Sequence, residues 1–295
     1  MTLDTAQLAA LAAVVQAGSF ERAAADLHIT PSAVSQRIAR LEDRLGQVLV
    51  VRGAPVRPTG VGRRLVAHAE RVAALEQDTL GALGLAGPAT TRLSIAVNAD
   101  SLASWFAPVL AEPLSQHLDV TLDNEDHSID WLRRGDVSAA IGAAGDPITG
   151  CACEPLGTLR YRAVATPAFI ARWLGADITP AAMARAPALA FNTADRLQAR
   201  WLAARLGPIE PAVGHRLPSA EAFVAATLAG SAWSLNPEPL IAAALADGRL
   251  VELIPDTPLD IALYWHYPRR LGPLLAPLTA AVHHAASTRL RAPAG

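Results

Sequence analysis

Apolar side chains in residues 3–15 fall at Leu8, Leu11, Ala12 and Val15, the spacing of one helix face, and Gly18 follows as a natural stop. The spacing predicts a first helix there. Ser19 is placed to cap a second, with Phe20 packing onto it and Glu21 in its positive first turn. Ala23 and Ala24 are small enough for another helix to come close, and Leu27 lies one turn on. "HIT" then makes a turn, Thr30 offers a capping hydroxyl, and Pro31 takes the first helical position, where its missing N–H costs nothing. The third helix is expected to run to about residue 45. At 100° per residue, Val34, Ile38, Leu41 and Leu45 fall on one side, with Ser32, Ser35, Gln36, Ala39 and Arg40 on the other.

A short helix, a three-residue turn and a second helix with a small, polar face form a helix-turn-helix pattern. Ser and Gln can hydrogen-bond base edges, and Arg37 and Arg40 can reach guanine or phosphate. An ordinary solvated helix face has the same composition, so this face alone leaves both readings open. Next comes "QVLVVRGAPVRPTGVG", read as a strand over residues 48–52, a proline-bearing turn and a return at Arg57. That is a wing beside the reading helix, with Arg52 and Arg57 near phosphates. A long helix over 59 to about 83 carries Leu65, Val66, Ala69, Val72, Ala73, Leu80 and Leu83 on its apolar face, with Glu76 interrupting the seam. Such a face fits a partner chain, although packing on its own N-terminal domain would also bury it.

"RLSIAVNADS" reads as a buried strand with a loop over 98–101, followed by a helix with Trp105 and Phe106. A strand "DVTLDNED", a helix through "SIDWLRRGDV" and a strand "SAAIGAAG" continue the alternation, which predicts an α/β layer with a parallel sheet. A second unit starts near residue 166, with a helix around 169–174, a strand "ALAFN", a helix capped by Ser219 and a return crossing "LYWHYP". "GLAGPATT" at 84–91 reads as a hinge.

The charge changes the picture of the first third. Net charge is −2, but residues 1–64 hold eight arginines against five acids, a local +3 that leaves −5 on the rest. Four arginines and no acid lie between Arg52 and Arg64, a segment suited to phosphates. All 25 basic residues are arginine, which with the Ala and Pro richness reads as a coding bias. The two cysteines, Cys151 and Cys153, exclude a disulfide framework and fit a reducing compartment. No 18-residue apolar run and no basic, apolar leader are present, so a cytoplasmic protein without a membrane span is expected.

"GSFERAAADLHITPSAVSQRIARLEDRLGQVLVVR" resembles the winged helix-turn-helix of the LysR-type transcriptional regulators. "PSAVSQRI", "IAVNADSLASWF" and "LRRGDVSAAIG" are similar to the branch of that family that senses basic amino acids and controls their export, the ArgP/LysG-like regulators. The resemblance covers nearly the whole chain. It implies a homodimer or homotetramer that binds double-stranded DNA, with RNA polymerase as a further partner, and a two-lobed C-terminal domain of periplasmic-binding-protein type clasping a small molecule. The fold expected is therefore α+β: a winged helix-turn-helix over 1–58, a linker and dimerisation helix with hinge over 59–88, and an effector domain over 89–295. Its first lobe would span about 89–165 and 268–295, its second about 166–267.

Ligands of such α/β lobes bind at the C-terminal ends of the strands. Those ends hold Asn98, Asp100 and Ser101, then Asn124, Glu125 and Asp126, then residues 142–145. Helix N-termini at Ser101 and Ser219 would take an α-carboxylate, and Asp100, Glu125, Asp126 and Glu221 the cationic groups of lysine or arginine. Each acid alone also reads as a solvated loop charge. One departure from relatives is "AGSAWSLNPE" where a glycine-rich "GLGWG" stretch is usual, so that Ser231, Ala232 and Ser234 add side chains beside Trp233. The alternative readings are weaker. No phosphate loop, nucleophile elbow or zinc-protease motif supports an enzyme, and no metal or cofactor is expected. The histidines His127, His215, His283 and His284 are scattered, a thiol switch at Cys151 and Cys153 lacks partners, and a transported-solute receptor would not need the N-terminal reader.

Overall fold

A computed structural model describes residues 2–85, 91–114, 116–175 and 177–292. The expected hinge at 84–91 lies mostly outside the described residues. The first three helices are α1 (Thr5–Ala17), α2 (Phe20–Asp26) and α3 (Pro31–Leu45). Each begins on a side chain that accepts a backbone N–H: Asp4 for α1, Ser19 for α2 and Thr30 for α3. Gly18 and Gly46 end α1 and α3 in the left-handed conformation that glycine adopts without strain. Helix α1 starts later than expected because Asp4 caps it, and its fully buried stripe is Leu8, Leu11 and Val14, with Val15 at the margin. Val34, Ile38 and Leu41 of α3 close this core with Ala23 and Ala24.

The wing is shorter than the pattern predicted. Strands β1 (Val50–Val51) and β2 (Arg57–Pro58) pair antiparallel over two residues each. Its turn packs on the N-terminal domain, where the Val56 N–H donates to the Gly18 carbonyl at 2.9 Å and Val56 is buried. Helix α4 (Gly60–Ala82) follows, capped by Thr59, whose hydroxyl also donates to the Val48 carbonyl at 2.8 Å. Its apolar face is divided. Val66 and Ala69 join the core of α1 and α3, and Ala74 joins the core of the following domain. The N-terminal domain thus buries part of the seam expected for a partner. Farther along, Leu75, Leu80 and Leu83 are exposed.

Strand β3 (Thr91–Asn98) leads into one turn of helix, α5 (Ala99–Ser101). The chain winds on through a π turn at Leu102–Phe106 and a 3-10 turn at Ala107–Ala111. The loop expected at 98–101 is therefore helical, because Asn98 already ends the strand. Strand β4 (Gln116–Asp123), helix α6 (Ser128–Arg134) and strand β5 (Ala139–Gly142) complete the first lobe's alternation. Strand β6 (Cys151–Ala165) then leads to α7 (Pro167–Trp173), α8 (Pro180–Met183), β7 (Pro187–Ala190), α9 (Leu197–Arg205) and β8 (Ala212–Arg216). Helix α10 (Ala220–Leu228), β9 (Ser234–Pro237), α11 (Glu238–Ala246), β10 (Val251–Glu252), β11 (Leu259–Pro268) and α12 (Gly272–Arg289) finish the chain.

The main sheet runs β10-β6-β11-β5-β3-β4, with β9 also on β6, and the small sheet pairs β7 with β8. β3 is parallel to both β4 and β5, as the alternation predicted. The sheet as a whole is mixed, because β6 and β11 are long antiparallel strands that return through both lobes. Leu93, Ile95 and Val97 bury one face of β3 and Ala96 the other, so this central strand is covered on both sides. Trp105, Trp201, Trp233 and Trp265 are fully buried in the effector domain. Among the described residues no helix is long and apolar enough to cross a membrane.

Candidate DNA-reading face and effector cleft

Two sites come from the two halves of the chain. On α3, Ser32, Gln36 and Arg40 are exposed, with Ser35 and Arg37 half-buried, opposite the buried Val34, Ile38 and Leu41. Glu42, one turn before the end of α3, accepts the backbone N–H of Leu49 at 2.7 Å and that of Val50 at 3.4 Å. This carboxylate ties the wing to the reading helix. Arg52 and Arg57 flank the hairpin and are exposed, and the Arg52 guanidinium lies 5.5 Å from the centre of the Phe20 ring. An exposed polar helix face beside exposed arginines on a wing is the geometry that enters a major groove while the arginines meet phosphates.

The second site is a cleft of about 390 Å³, mouth included. Asn98, Asp100, Asn124 and Glu125 line it from the ends of β3 and β4, and Phe191, Asp195, Gln198, Ala220, Phe223 and Leu235 from the second lobe. Three predicted residues, Asn98, Asp100 and Glu125, are thus brought together. The others are placed elsewhere. Asp126 is exposed one residue past the lining, because the chain turns there. Ser219 and Glu221 are exposed, and only their neighbour Ala220 reaches the cleft. Ser219 spends its hydroxyl on the Ala222 N–H at 3.3 Å. Ser101 is fully buried at the end of α5, so Asn98, not Ser101, stands at the helix N-terminus.

The carboxyls of the cleft have different surroundings. Asp100 accepts the hydroxyl of the buried Tyr161 at 2.8 Å. Burial raises its pKa to about 6, against the lowering effect of that bond. Asp195 accepts the N–H groups of Phe191 and Leu197 at 2.8 and 3.0 Å. Glu125 is 5% exposed, and burial, with Asp100, Asp126 and Asp195 nearby, pushes its pKa up to about 8. The Tyr161 phenol is pushed well above its ordinary value by the same burial and acids. Both side-chain atoms of Asn98, the Asn124 amide nitrogen and the Gln198 amide nitrogen are buried without a hydrogen-bond partner. Among the described residues no arginine lines the cleft, and the chain has no lysine. A buried acid without a basic partner, and orphaned amides beside it, are what a polar, cationic ligand satisfies.

Asp195, Gln198 and Tyr161 were missed from the sequence, where Asp195 reads as a loop acid and Gln198 as a helix residue. The "SAWSLN" departure leaves the cleft largely untouched. Ser234 is buried between Thr227 Oγ1 at 2.6 Å and the Asn236 amide at 2.7 Å, Ser231 donates to the Ala226 carbonyl at 2.8 Å, and of this stretch only Leu235 lines the cleft. Cys151 and Cys153 are free thiols whose pKa values burial raises, the reverse of a reactive thiolate. Cys153 Sγ lies 3.6 Å from Nε2 of the buried His266. His283, one of the scattered histidines, is partly exposed and pairs with Glu154 at 2.7 Å.

Comparison with known proteins agrees with both halves. The family described as "Bacterial regulatory helix-turn-helix protein, lysR family" matches residues 5–63, and "LysR substrate binding domain" matches residues 86–287. The chain is 44% identical over 286 residues to the HTH-type transcriptional regulator LysG of Mycobacterium tuberculosis, covering 97% of this chain and 94% of that one. The crystal structure of ArgP from Mycobacterium tuberculosis superposes with a TM-score of 0.76 at 44% identity, covering 99% of this chain and all of the other. Full-length LysG from Corynebacterium glutamicum with bound effector Arg gives 0.65 at 37% identity, over 98% and 100% of the two chains. With a helix-turn-helix reader, a two-lobed effector domain and these matches across nearly its full length, the chain belongs to the LysR family of DNA-binding transcriptional regulators.

Proposed function

We propose that this regulator senses a basic amino acid, arginine or lysine, in the cleft between its lobes and controls genes such as an amino acid exporter. The observation that carries the reading is the meeting of Asp100, Glu125 and Asp195 in one cleft without a basic side chain. A charge-assisted hydrogen bond to a guanidinium or ammonium would offset the cost of ionising Asp100 and Glu125, whose pKa values burial raises. The bound Arg of the Corynebacterium glutamicum structure supports the same class of ligand. In this reading Asn98, Asp100 and Glu125 hold the effector, helped by Asn124, Asp195 and Gln198, while Asp126, Ser101, Ser219 and Glu221 stand outside the first contacts.

On the DNA side, Ser32, Ser35, Gln36, Arg37 and Arg40 face the major groove of double-stranded DNA, and Arg52 and Arg57 the phosphates. The chain divides as a reader over 1–58, a linker over 59–88 and an effector domain over 89–295. It acts in the cytoplasm as a dimer or tetramer, through the exposed Leu75, Leu80 and Leu83 of α4, and meets RNA polymerase at the promoter. Ligand alters this assembly only if it binds one arrangement better than another. The test is binding of the full chain to DNA upstream of its own gene, at fixed salt, titrated with arginine and with lysine. A change of affinity or footprint with either one is expected. DNA binding indifferent to both would overturn the effector assignment and leave the family assignment standing.

A further inference from the structure

The three cleft carboxyls are not equivalent. Asp100 is engaged by the Tyr161 hydroxyl, and Asp195 spends both oxygens on the backbone N–H groups of Phe191 and Leu197. Among the described residues no other side chain hydrogen-bonds the Glu125 carboxyl, whose one donor is its own backbone N–H, although the residue is 5% exposed. The groups facing it are Asp100 from α5, Asp195 from the segment before α9, Tyr161 from β6, and Asp126 in its own loop. Every one of them is acidic or neutral. Beside it, the orphaned amides of Asn98, Asn124 and Gln198 mark the space as one built for a polar ligand.

A buried carboxyl facing only acids holds its proton until a cation arrives. We infer that Glu125 sorts effectors by proton exchange: a side chain with a permanent cation expels the Glu125 proton to water, whereas a side chain that is itself a base takes that proton. The inference rests on the basic-amino-acid reading of the cleft. For arginine or lysine, the neutral carboxyl and the ligand cation become a carboxylate–cation pair, and one proton leaves to solvent. For histidine, the proton moves from Glu125 to the imidazole, the same kind of pair forms, and none leaves. No bond other than to this proton is made or broken.

The consequence is a difference in pH dependence. Because burial among acids pushes the Glu125 pKa up to about 8, arginine affinity is expected to rise by up to about tenfold per pH unit toward that value and to level off above it. Histidine, with an ordinary pKa of about 6.5, binds with little pH dependence between 6.5 and 8. This makes Glu125 a specificity-determining residue and gives the sensor a reading that depends on cytoplasmic pH for arginine and lysine.

The experiment is calorimetric titration of the full chain at pH 7 with arginine and with histidine, each in phosphate and in Tris. The two buffers differ in their heat of protonation, so the difference between them counts the protons exchanged. Release of close to one proton with arginine and almost none with histidine is expected, and Glu125→Gln should bind arginine without release. The wild-type affinity for arginine between pH 6 and 8 reads the same linkage if the variant binds too weakly. Arginine binding with equal heats in both buffers and a flat pH profile overturns the exchange while leaving the sensor reading intact. Histidine that fails to bind, or that releases as many protons as arginine, overturns the sorting. Failure of every basic amino acid to bind removes both the inference and the reading beneath it.

Discussion

Glu70 in α4 is the side chain that fastens the DNA-reading half to the effector half. It is 5% exposed and accepts two bonds from one residue of β3, the Ser94 hydroxyl at 2.7 Å and the Ser94 N–H at 3.2 Å. Ser94 in turn accepts the Ser138 N–H at 2.7 Å, next to β5, and the far end of β3 is Asn98 in the effector cleft. Ser94→Ala removes the hydroxyl donor and should cost about 2 kcal/mol where Glu70 is ionised, within the range for bonds to charged acceptors. Glu70→Ala leaves both Ser94 donors without a partner and should cost about 3 kcal/mol. The losses share one interaction, so the double variant should be little worse than Glu70→Ala, a coupling of about 2 kcal/mol. Urea unfolding followed by tryptophan fluorescence reads the relevant domain, because all six tryptophans lie beyond residue 91. Burial also raises the Glu70 pKa, so the folded state keeps its proton where the unfolded chain has lost it. The Glu70 contribution to stability therefore falls as pH rises above the ordinary carboxyl value, and Glu70→Gln should gain on the wild type over that range. Losses for Ser94→Ala and Glu70→Ala that add within about 0.5 kcal/mol would refute the junction.

Gln36→Ala should weaken binding to the operator more than to unrelated DNA, whereas Arg52→Ala should weaken both about equally and lower the salt slope by about one; equal losses in a gel-shift series would remove Gln36 as a base reader. Gly62→Ala would drive a Cβ into the Leu49 carbonyl oxygen, so the first turn of α4 must move off the wing. It should cost about 3 kcal/mol or more, and a melting temperature unchanged by the substitution would contradict the packing. The folded-state pKa of Glu125 is raised from 4.5 to about 8, so its stabilising contribution is complete at low pH and is lost as pH rises through that window. Glu125→Gln should match the wild type below about pH 4 and exceed it by up to roughly 4 kcal/mol at pH 8; a stability difference independent of pH would exclude a buried, protonated Glu125.

Local chemistry made much of this protein legible from its sequence. Ser19 and Thr30 cap their helices, Pro31 opens α3 and Gly18 closes α1, because a cap needs only its neighbours in the chain. The polar side of α3 and the buried β3 followed from periodicity, for the same reason. Periodicity also gave α4 one apolar face, but it could not divide that face among the N-terminal core, the effector domain and solvent, since each neighbour comes from a different part of the chain. The cleft shows the limit most clearly. Strand ends pointed to Asn98, Asp100 and Glu125, yet whether an acid one residue along faces the cleft or water, as with Asp126, depends on how the chain turns after the strand. Tyr161, which engages Asp100, and Asp195, which raises the proton affinity of Glu125, arrive from 61 and 70 residues away. Sequence determined which groups were available and which short segments would form. Only tertiary folding decided which carboxyls share a dry space, because burial and mutual repulsion depend on distances that no local pattern encodes.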